Sequence, residues 1–102
     1  MNITITQHVR ERAEMRQLQS YLDLGLAKLR DLTLDHGISG EVNFIASKLP
    51  QAINREGSSG DLVIIGCQVI SEDRLVVKSI FLQHSWQVAN RIRKLGKQYA
   101  RL

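Results

Sequence analysis

The stretch DLVIIGCQVISEDRLVVKSIFLQ, residues 61–83, limits what this chain can become more than any other. Two runs rich in Val, Ile and Leu flank SED. Branched side chains pack well on a pleated surface and SED is a tight connection, so the spacing predicts an antiparallel hairpin turning at Ser71–Asp73. Alternation puts Val63, Ile65, Cys67 and Val69 on one face with Leu75, Val77 and Phe81. Gln68 and Lys78 point the other way, so the second face is at least partly wet.

Helical periodicity precedes this hairpin. Over residues 7–35, Met15, Leu18, Leu22, Gly25, Leu29 and Leu32 recur at spacings of three and four, which predicts one long amphipathic helix. Its first turns, RERAEMR, are charged on all sides, with Arg10 and Glu14 paired four apart. LDLGLAKLRDLTL is apolar over a wider arc and is the half expected to be buried, with Gly25 marking a close backbone approach. Thr6 is placed to cap the helix, and Gly37, after Asp35 and His36, to end it in the left-handed conformation. Upstream, NITIT (2–6) alternates as a half-buried strand does.

EVNFIASKLPQAINREG (41–57) carries both periods. Proline costs about 3 kcal/mol inside a helix but is welcome in its first turn, so Pro50 divides the segment into a short strand at 41–46 and a short helix at 49–55. One helix across the whole segment is the alternative. REGSSGD (55–61) reads as a loop, and Ser85 is placed to cap a last helix running to Leu102. The sum is a small single α+β domain. Its long N-terminal helix and basic C-terminal helix are expected on one face of a three- to four-stranded, mostly antiparallel sheet. The central order helix–three strands–helix resembles the double-stranded-RNA-binding domain in topology, although the segment at 47–57 interrupts it and no Lys-rich signature opens the last helix.

Charge is distributed unevenly. Residues 1–84 carry nine Lys and Arg against ten Asp and Glu, whereas residues 85–102, SWQVANRIRKLGKQYARL, carry five basic residues and no acidic one. The net +4 therefore belongs to the last element. On a helical projection Val88, Ile92, Leu95, Tyr99 and Leu102 converge on a stripe expected to face the core, beside a small-residue stripe of Ala89, Gly96 and Ala100. Asn90, Arg91, Lys94, Lys97, Gln98 and Arg101 fill the opposite arc, with Arg93 at its edge and Trp86 projecting onto the same polar side. That arc is either a footprint for phosphates or an acidic partner, or a solvated back favoured by the helix macrodipole. Trp86 is expected to fold back onto Phe81 or Leu82, because tryptophan is highly buried on average; an exposed stacking role is the alternative.

Several chemistries find little support. Cys67, the single cysteine, excludes an internal disulfide and sits in an apolar strand, where a structural thiol is expected. His8, His36 and His84 fall at separate element ends without metal-ligand spacing. GSSGD lacks the Lys and following helix of a phosphate-binding loop. The one acid–base arrangement left open pairs His84 with Asp61 or Glu41. MNITITQHVRERAEM has no apolar stretch of signal-peptide type, and LVIIGCQVI is too short to span a membrane, so a cytoplasmic protein without cofactors is expected.

These observations favour a non-catalytic regulatory protein that binds nucleic acid through its basic helix. The alternative is an adaptor or inhibitor docking on an acidic surface of a larger protein, such as a nucleic-acid-processing enzyme, in the manner of phage-type regulators. A small basic ribonuclease is the third reading. The wide apolar arc of 18–34, with Leu24, Leu26 and Leu34, would bury its excess in a homodimer through the long helix.

Overall fold

The computed structural model describes residues 1–34, 37–49 and 59–102. In chain order the elements are β1 (Asn2–Ile5), α1 (Gln7–Met15), α2 (Gln19–Arg30), β2 (Gly40–Lys48), β3 (Leu62–Ser71), β4 (Arg74–Gln83), α3 (Ser85–Leu95) and β5 (Gln98–Arg101). The strands form one five-stranded sheet in the order β1-β4-β3-β2-β5. Its centre is antiparallel, while β1 joins β4 and β5 joins β2 in parallel. The sheet is thus mixed and larger than the three to four mostly antiparallel strands expected, and the helices cover both faces rather than one.

The 61–83 hairpin forms as the sequence predicts, with Ser71 opposite Arg74. Its inward faces differ from simple alternation because Ile65 and Gly66 pair with Ile80 and Ser79, whereas Cys67 pairs with Val77. Lys78 is the extra residue of a bulge, and one extra residue exchanges the faces of everything beyond it. Phe81, expected beside Leu75 and Val77, therefore packs on the opposite face with Leu62, Ile64, Ile45, Val88 and Tyr99. Ile80 takes its place in the main core.

The single helix expected over 7–35 is two helices. Thr6 caps the first, its hydroxyl accepting from the Val9 N–H at 3.3 Å. Beyond Met15 the backbone turns at Gln17, which is left-handed at φ 58°. The Leu18 N–H closes onto the Ala13 carbonyl at 2.7 Å. A left-handed non-glycine residue costs about 1–2 kcal/mol, and burying Leu18 returns a similar or larger amount, about 1.5–3 kcal/mol. The turn aims Leu18, Leu22, Leu26 and Leu29 into the sheet and leaves Met15 in solvent. Leu26 is buried and Leu34 half-buried, so Leu24 is the one large apolar side chain that α2 exposes. The apolar excess expected to drive a homodimer is correspondingly small. Gly25 lies against the sheet: a Cβ there would fall on Ile65 Cδ1 and within 3.5 Å of Ala46.

The second helix ends at Arg30, with Asp31 as its cap. Gly37 is left-handed at φ 93° but lies well past that end, so it is not the cap expected. Asp35, His36 and the helix expected at 49–55, apart from Leu49, lie outside the described residues. Leu49 is buried and donates its N–H to the Asp61 carbonyl at 2.6 Å, tying β2 to the start of β3. No helix among the described residues is long and apolar enough to cross a membrane.

Cys67 is buried in the main core, and desolvation pushes its thiol up to about 12 from an ordinary 9.0. Thiol reagents are expected to label it only after denaturation, which labelling in rising urea measures. Because the folded value is raised, stability is complete below pH 9.0 and falls as pH rises from there toward 12.

Candidate functional site

The last helix begins through a contact supplied by Asp61, the residue just before β3. The Asp61 carboxylate accepts from the Ser85 N–H at 2.9 Å and from its hydroxyl at 2.7 Å. His84 occupies the cap position, and its N–H donates to Gln87 Oε1 at 2.8 Å. Ser85, expected as the cap, is instead the first helical residue, held by a carboxylate that also suits the positive end of the helix. The Ser85 hydroxyl and then its N–H hold the Asp61 carboxyl below its ordinary 3.8, and Lys48 adds to this. A lowered folded value gives stability that is present above pH 3.8 and lost as pH falls below it. Asp61→Asn should therefore lower stability at neutral pH and flatten its acid dependence, with the gap to wild type narrowing in urea melts as pH falls below 3.8.

The helix stops well short of Leu102. Gly96 turns left-handed at φ 63°, and the Gly96 and Lys97 N–H groups close onto the Ile92 and Arg91 carbonyls at 3.2 Å each. The chain then enters β5, where Val42 to Ile45 pair with Gln98 to Arg101. The predicted stripe Val88–Ile92–Leu95–Tyr99–Leu102 is broken by this turn. Only Val88 of α3 is buried, whereas Ile92 is 48% and Leu95 64% exposed. Tyr99 is half-buried, its hydroxyl donating to the buried Gln83 Oε1 at 3.1 Å.

The basic arc is redistributed as a result. Arg91 and Lys94 stay together on the outer side of α3, where Trp86, Gln87, Asn90 and Leu95 join them around a shallow cleft of about 350 Å³. Arg93 donates to Asn90 Oδ1 at 2.7 Å and so stiffens the rim. Gln98 serves the fold: its side-chain amide donates to the Ser39 and Glu41 carbonyls at 2.6 and 3.0 Å. Lys97 sits in the turn, and Arg101 on β5 borders a second groove, about 300 Å³, with Ile45, Val88, Ile92 and Tyr99.

Trp86 does not fold back onto Phe81 or Leu82. It is 63% exposed, its ring stacked on His84 with centroids 6.0 Å apart and planes at 14°. The ring is therefore presented with a defined orientation on the same face as Arg91 and Lys94.

The acid–base arrangement the sequence left open is not assembled. His84 Nε2 lies 3.1 Å from Ser59 Oγ, but the Asp61 carboxylate is engaged by Ser85. Glu41 pairs with Gln68 and Gln83 with Leu62, so Glu41 and His84 stand at opposite ends of β3. That separation is roughly 20 Å at the rise of a strand. Among the described residues, no group of three or more His, Cys, Asp or Glu is arranged to hold a metal ion.

Periodicity located the basic element and its apolar residues, but not their exposure. The available signal was Gly96, followed by Lys97 and the strand-like QYA, a glycine stop of the ordinary kind. No family model, curated protein or solved structure matches this chain.

Proposed function

We propose that α3 is a docking helix and that the protein is a small non-catalytic regulator binding an acidic, partly apolar surface of a larger protein. The observation that carries this reading is the exposure of Trp86, Ile92 and Leu95 on a helix whose charges are Arg91, Arg93 and Lys94, without a carboxylate. An exposed apolar side chain gains from burial against another apolar surface, by about 25 cal/mol per Å² removed from water. Trp and Arg are also the residues that most often dominate protein interfaces. Phosphates offer nothing to Ile92 or Leu95, which favours a protein partner over nucleic acid in this reading. The exposed Trp86 ring beside two cations favours the second reading, single-stranded nucleic acid stacked on Trp86 with phosphates on Arg91 and Lys94.

Capture from a lysate of the source organism, with and without nuclease, separates them. A single stoichiometric protein retained after nuclease, and retained by wild type but not by Trp86→Ala, is the expected outcome. Loss of all partners on nuclease treatment supports the second reading. For that case, log affinity should fall with log salt by about −0.7 per neutralised phosphate on a single strand.

A further inference from the structure

A second cationic feature lies away from α3. His8, Arg12 and Arg16 recur every fourth residue of α1 and its exit turn, so they stack along one side of it. That side runs beside β4 where β1 no longer covers it, because β1 pairs with β4 only as far as Val77. The uncovered edge begins at the bulge residue, Lys78. These groups, with Ser79, surround a cavity of about 250 Å³ floored by the buried Val9 and Ile80. Arg16 is fixed there by donating from one Nη to the Ile80 carbonyl at 2.6 Å.

We propose that this cavity binds the phosphate group of a small phosphomonoester. Three permanent cations and a histidine line it, and no carboxylate is among its lining residues. Among the described residues neither Arg12 nor Lys78 has an ion pair or side-chain hydrogen bond, so their charges are uncommitted. Like charges gathered around one cavity repel, and an anion placed between them relieves that repulsion. Arginine's planar fork matches the oxygens of a phosphoryl group, and lysine adds a point charge. A terminal phosphoryl carries about −1.5 to −2 charges near neutral pH, which suits the charges of Arg12 and Lys78 better than a singly charged diester with two substituents to house. Lys78 also borders a smaller cavity with Glu41, but forms no ion pair with it.

The test is a titration of the ¹⁵N-labelled protein with inorganic phosphate at constant ionic strength, balanced with chloride. Saturable shifts are expected at the amides of Val9, Arg12, Lys78 and Ser79, with a Kd of ~1 mM or tighter. Methyl phosphate should compete and dimethyl phosphate should not. Arg12→Gln with Lys78→Gln should weaken binding by about tenfold or more, and Lys78→Gln alone, at an exposed position, should weaken it measurably if the double variant does not fold. Shifts that drift linearly without saturating would overturn the proposal. So would binding unchanged in Lys78→Gln, or dimethyl phosphate binding as tightly as inorganic phosphate.

Discussion

Leu29→Ala lowers the free energy of unfolding by about 2–5 kcal/mol, whereas Ile92→Ala lowers it by less than about 1 kcal/mol. Both residues sit on the apolar stripe of their helices, and the sequence distinguishes neither. The structure does: Leu29 is 0% exposed in the core between α2 and the sheet, and Ile92 is 48% exposed at the lip of a groove. Truncating Leu29 leaves a cavity that close-packed neighbours cannot fill, so the transfer and cavity costs add. Truncating Ile92 removes atoms that already touch water. Urea melts of the two variants measure the contrast. Equal losses would mean that α3 is as firmly part of the core as α2.

The hairpin of 61–83 was legible because its signal is local: two branched runs and a short connection specify both strands and their pairing. The N-terminal strand, the 41–46 strand and the Thr6 cap were legible for the same reason. The bulge at Lys78 was not, since a one-residue slip leaves composition unchanged and is decided by how Gly66 and Ser79 fit across the sheet. Nor was the turn at Gln17, where tertiary burial of Leu18 overrides the preference of the backbone. Parallel pairing of β1 with β4 and of β5 with β2 joins residues far apart in sequence, and no local pattern announces it.

The candidate surface was half legible. Clustering of Arg91, Arg93, Lys94, Lys97 and Arg101 in the last eighteen residues is written in the sequence. Which of them share a surface depends on Gly96, whose left-handed turn separates Lys97 and Arg101 from the helix. Exposure of Trp86 follows from the cap geometry: Asp61 and Gln87 fix the first turn, and the ring stacks on His84 instead of turning inward. Asp61 and His84 lie outside the helix, where a helical projection does not look.

The outer face of α3 carries the proposed docking surface. Trp86→Ala, and separately the double reversal Arg91→Glu with Lys94→Glu, should leave folding nearly intact, because all three side chains are exposed and lie apart from the buried Val88. Trimming an aromatic anchor at the centre of an interface costs about 2–4 kcal/mol, a loss of roughly 30-fold to 1000-fold in affinity. Reversing two cations opposite an acidic surface turns attraction into repulsion and should abolish detectable binding at micromolar concentration. The direct measurement is calorimetric titration of the captured partner with wild type and both variants, each shown to be folded by its urea melt. Affinity lost in both variants is the predicted result; affinity equal to wild type in both would show that this face of α3 is only a solvated back.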